Sequence, residues 1–314
     1  MAEASRIIGS SIHSFFCHYH TFASVATVLI LPCSAATLLS QALLFPSSSS
    51  SSGTLQSVSG RLHSLFAAAT FPADNSFFAL LNLKLSQTIF TSIFTLPFCL
   101  TFLCLAKASI ALTNIHDPQS PSLSSFLKLY TNLLHTHLFN IFLIISANSA
   151  VFSSLFMVFE FFDFLGIKSS SLVLIPTGIA AVFYSVIFSN VAIVCNLASI
   201  VSAMERCRGY NAILRAWVLI RGKVTAALFL ALFSNLGLAA IEALFQMRIT
   251  RAYHRAGRFD LSLFFEGLTV TYMYSILSVL DIVISFSFFK SCRHKLLAKY
   301  NIELELEEKG SLVV

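Results

Sequence analysis

Long apolar runs separated by short polar segments are the dominant pattern along this chain. A helix needs about 20 apolar residues to cross a hydrocarbon core of about 30 Å, and lipid accepts only backbone that hydrogen-bonds within its own segment. Six runs reach that length, so the pattern predicts six membrane-spanning helices. The predicted spans are Phe22–Phe45, Leu85–Leu112, Leu138–Phe162, Leu172–Ala203, Val224–Met247 and Leu263–Phe289.

The predicted fold class is therefore all-α: a polytopic bundle of about six spans with amphipathic interfacial helices between them. Composition agrees, because 56% of the residues are hydrophobic and only 11% are charged, whereas soluble domains carry about 25% charged residues. We expect a cytoplasmic N-terminal segment 1–21, a membrane domain 22–289 and a cytoplasmic C-terminal tail 290–314, whose acidic end 301–314 is expected to be mobile. The first run exceeds the roughly 7–15 apolar residues of a signal peptide and is expected to be a retained span.

Two connections carry apolar residues at helical spacing, which predicts helices on the membrane surface or on the bundle. One follows the linker "PSSSSSSG" at 46–53. The other begins after Ser122, which can cap its N-terminus. The apolar positions are Leu55, Val58, Leu62, Leu65, Phe66 and Ala69 in the first helix, and Leu123, Phe126, Leu127, Tyr130 and Leu134 in the second.

Between spans four and five lies a charged segment, 204–223, which we call the hinge. Asn211 is a predicted N-cap and Gly222 a predicted stop for a short helix. At 100° per residue, one face holds the apolar side chains, while Arg208 and Arg215 point the opposite way. The predicted apolar face consists of Ile213, Ala216, Trp217 and Ile220.

The hinge admits two interpretations. It can be an interfacial anchor whose cations fix the topology, with Arg206, Arg208 or Arg215 neutralising Glu205. Alternatively, it binds anionic lipid headgroups through Arg208, Arg215 and Trp217.

The run "LASIVSAMERCRGYNAILRAWVLIRGK" at 197–223 resembles the hallmark of a plant family of uncharacterised six-span membrane proteins. It is more distantly similar to the membrane domain of bacterial glycerophosphodiester phosphodiesterases. The resemblance implies an integral membrane protein without an assigned reaction. Because the chain has no room for the soluble catalytic barrel of those enzymes, phosphodiesterase activity is not expected.

Lys and Arg are distributed unequally between the two sides of the predicted bundle. The side holding both termini and the hinge has 13 of the 20, counting Lys107, and the other side has seven. Positive residues mark the cytoplasmic side, so both termini are predicted to be cytoplasmic. An endomembrane, either endoplasmic reticulum or Golgi, or the plasma membrane is the expected location.

Ionisable residues inside spans are functional candidates because burying them in lipid is costly. Glu242 lies in span five and Asp281 in span six. One hypothesis is a polar path for an ion or small solute; the alternative is interhelical hydrogen bonding that holds the bundle together. The candidate path residues are Glu242, Asp281, Asn148, Asn196 and Asn235, and Asn190 is a further polar residue in span four.

Four arginines after span five are spaced by 3, 4 and 3 residues, which places them within about 80° of one helical face. Such a stripe suits lipid headgroups or an acidic partner. The ordinary alternative is a solvated helix extension pairing with Asp260 and Glu266. The stripe consists of Arg248, Arg251, Arg255 and Arg258.

The sequence lacks the common motifs for catalysis or metal binding: it contains no GxSxG, HExxH, GxxxxGK[ST] or GxGxxG and no CxxC pair. We expect no cofactor, no enzymatic activity and no nucleic-acid partner. The expected partners are the lipid bilayer, anionic headgroups and other membrane proteins. The leading functional hypothesis is a structural or adaptor protein in lipid organisation or trafficking; a transporter or channel-like protein is the alternative, and a lipid-acting enzyme comes third.

Overall fold

The computed structural model describes residues 2–43, 57, 59–64, 86, 89, 91–93, 95–114, 123–164, 170–256 and 261–311. These residues lie in helices or in the short turns between them, and the described part of the chain contains no strand. The all-α prediction is confirmed. The predicted capping residue Ser122 lies outside the described residues, and of the predicted helix over 55–69 the structure describes residue 57 and residues 59–64, all helical.

Ten α-helices and three π-helical turns are delimited within the described ranges. The helices are α1 (Ala2–Cys17), α2 (Tyr19–Val25), α3 (Leu31–Leu43), α4 (Cys104–Asn114), α5 (Leu123–Phe164), α6 (Ser170–Glu205), α7 (Tyr210–Ile220), α8 (Val224–Phe245), α9 (Arg251–Ala256) and α10 (Leu261–Ser311). The π turns are Ala26–Ile30, between α2 and α3, Cys99–Leu103, before α4, and Gln246–Thr250, between α8 and α9.

Six helical segments are long and apolar enough to cross a membrane, as predicted. The third begins earlier than expected, because the predicted surface helix after residue 122 and span three form one helix of 42 residues, α5. The six segments are Tyr19–Ser40, Thr91–Thr113, Phe126–Val151, Val182–Glu205, Val224–Tyr253 and Leu261–Leu296.

The chain divides into two units, each described here by itself. Unit one comprises Met1–Cys17, Lys107–Ser234 and Leu280–Val314; unit two comprises His18–Ala106 and Asn235–Val279. In unit one, α5, α6 and α7 pack on one another. In unit two, Leu38, Phe245 and Val270 form a buried apolar cluster.

Two terminal segments differ from the sequence-based expectation. The N-terminal segment forms α1, whose buried residues Ala4, Ile7 and Phe15 recur at helical spacing. The acidic tail, expected to be mobile, continues α10 to Ser311. Leu, Glu and Lys are strong helix formers, which explains why the helix continues into this charged segment.

Two π turns of unit two lie close to proline in sequence. Pro32 follows the turn Ala26–Ile30, and Pro97 precedes the turn Cys99–Leu103. A proline ring removes one backbone donor and crowds the preceding turn, and a π turn is one way for a helix to adjust its bonding. Thr101 Oγ1 donates to the carbonyl oxygen of Pro97 at 2.8 Å, which gives that oxygen a partner.

The buried face of α5 differs from the predicted one. Leu129 and Leu133 are buried, whereas Leu127, which was assigned to the apolar face, is 54% exposed. The reason is that α5 is one continuous helix whose orientation is set by its polar contacts with α6. Apolar periodicity alone does not reveal those contacts.

Candidate hinge and intramembrane site

A line of polar and small side chains joins α5 to α6 in unit one. Asn140 Nδ2 donates to the carbonyl oxygen of Cys195 at 2.8 Å and to Ser199 Oγ at 3.1 Å. One turn earlier, Thr136 Oγ1 and Ser202 Oγ lie 2.9 Å apart in hydrogen-bonding geometry. We call these residues, with Asn132, the polar seam. Small residues and hydrogen bonds of this kind are how helices associate within lipid.

The seam continues into the four-residue turn 206–209, which connects α6 to α7. Asn132 Nδ2 donates to the carbonyl oxygen of Arg206 at 3.4 Å, and Asn132 Oδ1 accepts from Arg208 Nε at 2.6 Å. Ser202 Oγ donates to the carbonyl oxygen of Cys207 at 2.8 Å. The backbone N–H of Gly209 donates to Thr136 Oγ1 at 3.1 Å. These hydrogen bonds hold all four residues of the turn: Arg206, Cys207, Arg208 and Gly209.

The backbone of this turn is unusual at both ends. Arg206 has φ of +54° and is the single non-glycine residue with positive φ in the described part of the chain, while Gly209 has φ of +51°. A Cβ at Gly209 would lie 2.8 Å from the ring of Phe139. Side chains other than hydrogen are therefore disfavoured at Gly209 for two independent reasons, the backbone conformation and the close ring.

Helix α7 begins two residues earlier than predicted. Its N-cap is Gly209, and the predicted N-cap Asn211 lies within the helix. The helix ends at Ile220, and Gly222, with φ of +96°, follows the end as predicted. Capping by a glycine is explained by the turn, because the backbone there must adopt positive φ.

The predicted apolar face of α7 is only partly correct. Ala216 and Ile220 are buried, but Trp217 is 59% exposed. The side packed on the protein is rich in alanine, which allows close approach, and larger apolar residues are left on the outside. The exposed apolar residues of α7, here called the outer stripe, are Tyr210, Leu214, Trp217 and Val218.

Of the cations considered as partners for Glu205, Arg215 makes the contact. Arg215 Nη1 lies 2.6 Å from Glu205 Oε2. This hydrogen bond raises the pKa of the Arg215 guanidinium above its ordinary value. Arg208 instead binds the buried amide of Asn132, so the two arginines predicted to share one face have separate roles.

Lys107 lies inside a membrane-spanning segment. It was counted with the cations of the cytoplasmic side, and it belongs to the span Thr91–Thr113, where it is only 8% exposed. Its Nζ donates to Asn196 Oδ1 at 3.4 Å. Asn196 Nδ2 in turn donates to Ser285 Oγ at 3.1 Å. A buried ammonium is costly in lipid, so this position is a functional candidate.

Asp281 belongs to the same group of side chains. It lies one turn before Ser285 on α10 and interacts electrostatically with Lys107. The neighbouring Ser234 is only 5% exposed. It lies close enough to Asp281 to influence that carboxyl group, but its Oγ makes no hydrogen bond of normal length and angle among the described residues. We call these residues the intramembrane cluster: Lys107, Asn196, Ser234, Asp281 and Ser285.

A small cavity of about 40 Å³ adjoins the cluster. Its polar lining comes from Asn196, Asp281 and Ser285, and its apolar lining includes Leu230 and Phe288. A space of roughly 10–15 Å³ by this measure holds one water molecule. The cavity can therefore hold water between a carboxylate, an amide and a hydroxyl inside the membrane segment.

The other predicted path residues have different surroundings. Asn148 Oδ1 accepts from the Tyr184 hydroxyl at 3.0 Å. Asn190 Nδ2 bonds to the carbonyl oxygen of Val186 within its own helix. Asn235 is exposed. These contacts suit hydrogen bonding within and between helices, the alternative that the sequence left open.

Glu242 of unit two also makes an interhelical contact. Its Oε1 accepts from the Tyr274 hydroxyl at 3.1 Å. Tyr274 packs against the apolar cluster of Leu38, Phe245 and Val270. Glu242 therefore links α8 to α10 within unit two, and its role as a path residue stays a prediction.

The arginine stripe is described in part. Arg248 lies on the π turn Gln246–Thr250 and forms an ion pair with Glu266 at 2.9 Å, one of the pairings considered from the sequence. Arg251 is exposed. Arg255 lies in α9 without a described side chain, and Arg258 and Asp260 lie outside the described residues. The π turn also breaks the 100° period used to place the four residues on one face.

The sequence-based reading missed the polar seam and Lys107. A signal for the seam was present: Asn132, Thr136 and Asn140 recur every four residues, as do Cys195 and Ser199. Lys107 could have been found by position alone, since it stands inside the run Leu85–Leu112.

No group of three or more His, Cys, Asp or Glu side chains able to hold a metal ion occurs in the described ranges.

Six apolar helices of membrane-spanning length define the chain as an integral membrane protein of the all-α class. It belongs to the family described as a domain of unknown function, DUF8558, whose model matches residues 3–311. No curated protein sequence and no solved structure matches the chain significantly.

Proposed function

We propose that this protein moves protons or small cations across its membrane and that the intramembrane cluster is the site where they bind. The observation that carries the proposal is the buried ammonium of Lys107, which donates to Asn196, and Asn196 lines a water-sized cavity together with Asp281 within the membrane segment. Ionisable residues kept inside a bundle commonly mark ion or proton pathways. This observation favours the transporter alternative over the structural hypothesis that came first from the sequence.

Asp281 was a candidate path residue from the sequence, and its partner changes in this proposal. Lys107 takes the place given earlier to Glu242, because Lys107 shares contacts with the Asn196 amide that lines the cavity. The chemistry is simple: a proton or cation that binds the carboxylate of Asp281 competes with the attraction of Lys107. Asn196 and Ser285 supply polar atoms that replace water.

The test is a flux measurement in reconstituted liposomes. The purified chain is placed in vesicles that trap a pH-sensitive dye, and a potassium gradient with an ionophore sets the membrane potential. We expect wild-type vesicles to change internal pH faster than protein-free vesicles. Asp281→Asn is expected to reduce this rate to that of protein-free vesicles. Repeating the measurement with a sodium gradient in place of the proton gradient shows which of the two cations is transported.

Two further variants keep the flux test interpretable. Lys107→Met with Asp281→Asn removes both charges and leaves no uncompensated ion, so it should fold and also lack flux. Glu266→Gln removes a carboxylate from a partly exposed ion pair in unit two and should retain full flux. Full flux through the folded double variant would exclude the cluster as the transport site.

The second candidate function is the structural or adaptor role in lipid organisation or trafficking. The observation that favours it is α7: the turn 206–209 is fixed by the polar seam, and the outer stripe with Trp217 remains exposed. Tryptophan beside cations is typical of the membrane interface. An adaptor needs such a surface helix to be held in one orientation.

Fluorescence of Trp217 tests this candidate, because the chain contains one tryptophan. Lipids brominated at defined depths quench an indole at their own depth. We expect the strongest quenching from bromines near the headgroup boundary. Quenching by aqueous iodide, without quenching by any brominated lipid, would show that Trp217 does not lie at the membrane interface. That result would exclude this candidate function.

The finer aspects of location belong to the same proposal. Both termini and the hinge are proposed to face the cytoplasm, in an endomembrane or the plasma membrane. Removing Lys107 from the side count lowers the cytoplasmic excess of cations by one and does not reverse it. The resemblance to the plant six-span family and the absence of enzymatic activity likewise stay predictions.

A further inference from the structure

A second basic surface of unit one lies where the turn after α7 meets the end of the span in α10. Lys223 Nζ donates to the backbone carbonyl oxygen of Ser291 at 3.5 Å. This contact joins residues 68 positions apart in the chain. It holds Lys223, two residues after Arg221, against the helical turn that carries Lys290 and Arg293.

These four cations form what we call the end patch. Arg221, Lys290 and Arg293 are exposed, and Lys223 is half-buried. Lys290 and Arg293 are three residues apart on one helix and share a face. The end patch consists of Arg221, Lys223, Lys290 and Arg293, and each of the four carries one formal positive charge.

The end patch continues directly into the outer stripe of α7. Trp217 is four residues before Arg221, one helical turn away, and Trp217 and Val218 are each 59% exposed. An apolar helix face bordered by cations is the pattern of segments that lie in the headgroup region of anionic membranes. Arg215, within α7, is paired with Glu205, and Arg221 of the end patch follows the C-terminal end of the helix.

We propose that the end patch binds a lipid headgroup that carries a phosphate monoester. A headgroup with a single negative charge needs one cation, whereas four cations on two elements suit a headgroup with several charges. Guanidinium groups bind phosphate oxygens in bidentate fashion, and Arg221 and Arg293 supply two of them. The inference deepens the second proposed function and rests on α7 lying at the membrane interface.

Energy transfer from Trp217 gives a local readout of this site. The chain is reconstituted in vesicles of neutral lipid containing a phosphatidylinositol bisphosphate whose headgroup carries an acceptor dye. A second set contains dye-labelled phosphatidylserine, adjusted to equal total charge. We expect transfer to saturate at a several-fold lower mole fraction of the bisphosphate lipid than of phosphatidylserine.

The decisive variant is Arg221→Gln with Arg293→Gln, which keeps Trp217 and Lys223. We expect it to lose the preference for the bisphosphate lipid. The matched control, Arg6→Gln with Lys128→Gln, removes the same charge from exposed positions of unit one that belong to no candidate site and should keep the preference. A preference unchanged in the end-patch variant, or equal transfer to both lipids in the wild type, overturns the proposal.

Two arms separate the possible causes of failure. Quenching by brominated lipid in neutral vesicles reports whether Trp217 is interfacial, independently of any headgroup, so failure of the lipid-organising function is recognised by itself. Displacement of the labelled lipid by a soluble inositol phosphate, as effectively as by unlabelled lipid, assigns the end patch to a soluble ligand and overturns the lipid assignment.

Discussion

Arg208 Nε donates a hydrogen bond of 2.6 Å to Oδ1 of Asn132, which lies 76 residues earlier in the chain. Asn132 is 2% exposed, so a buried amide holds a guanidinium at the edge of the membrane segment. The same amide donates to the carbonyl oxygen of Arg206. One side chain of α5 thus binds both the backbone of Arg206 and the guanidinium of Arg208, and the orientation of α7 depends on these contacts.

Replacing Asn132 with alanine is expected to destabilise unit one by about 2–3 kcal/mol. A hydrogen bond to a charged group contributes roughly 1.5–3 kcal/mol, and its loss leaves the remaining partners unsatisfied. Thermal unfolding in detergent measures the change. The control is Asn190→Ala, because Asn190 bonds to the carbonyl oxygen of Val186 in its own helix; an effect equal to that of Asn132→Ala would show that the hinge contact is unimportant.

Gly209→Ala separates backbone strain from steric contact in the hinge. Positive φ costs a residue with a side chain about 1–2 kcal/mol, and the new Cβ would also meet the Phe139 ring at 2.8 Å. Gly222→Ala shares only the first cost, since nothing lies within 4 Å of its Cβ position. We therefore expect a lower melting temperature for the Gly209 variant than for the Gly222 variant.

A third glycine completes the comparison. Gly9 lies in α1 with nothing within 4 Å of its Cβ position, and Gly9→Ala should be neutral or stabilise by up to about 1 kcal/mol through helix propensity. If all three alanine variants melt alike, the turn 206–209 is not under the conformational constraint described here.

The sequence was sufficient to predict the six spans, because the length and apolarity of a membrane helix are local properties. It also predicted that Gly222 follows the end of α7 and that Arg215 can pair with Glu205. The N-cap was wrong because the positive φ at Gly209 comes from contacts with α5. Residues 70 positions away in sequence determine it, and a single sequence does not reveal them.

The intramembrane cluster was predictable in part for the same reason. Asp281 and Asn196 were identified because polar residues inside apolar runs are conspicuous. Their partner Lys107 was assigned to a loop side by counting charges, although it stands in a predicted span. Which carboxylate it meets depends on helix packing, and apolar periodicity, which is weak in spans that are hydrophobic all round, does not specify packing.

Arg215 should keep its charge across the neutral pH range, so its contribution to the ion pair with Glu205 should not change with pH there. Its raised pKa means that the guanidinium stays charged, so the stabilisation is fully present below the ordinary arginine pKa and is lost only as pH rises through the higher folded value. Because Arg215 is exposed, Arg215→Gln should change stability little. Arg208→Gln should change it more.

Melting temperatures of the two arginine variants between pH 6 and pH 9 check this expectation, and about three pH values are enough to detect a trend. Both curves should run parallel to that of the wild type. A steep dependence for wild type that disappears in Arg215→Gln would mean that the pair titrates in this range.

Charge removal in the intramembrane cluster is expected to be strongly non-additive. Removing one member of a buried pair costs about 3–5 kcal/mol, whereas replacing both with neutral groups is often tolerated. We expect Lys107→Met and Asp281→Asn each to be destabilising and the double variant to approach the wild type. Additive losses in unfolding experiments would mean that Lys107 and Asp281 are not energetically coupled.

The span count makes a prediction about sidedness that labelling can check. Two spans, Val224–Tyr253 and Leu261–Leu296, follow the hinge, so the C-terminal end of the second, with Arg293, should lie on the side of the hinge, and the C-terminal end of the first, with Arg251, on the other side. Native cysteines are replaced, and single cysteines are added at Arg221, Arg293 and Arg251 for reaction with an impermeant thiol reagent in intact cells. We expect only the Arg251 site to label from outside, or from the lumen in sealed vesicles. If all three sites share one side, Val224–Tyr253 does not cross the membrane as one span, and the arginines of its C-terminal end join the hinge and the end patch as one basic membrane-facing surface.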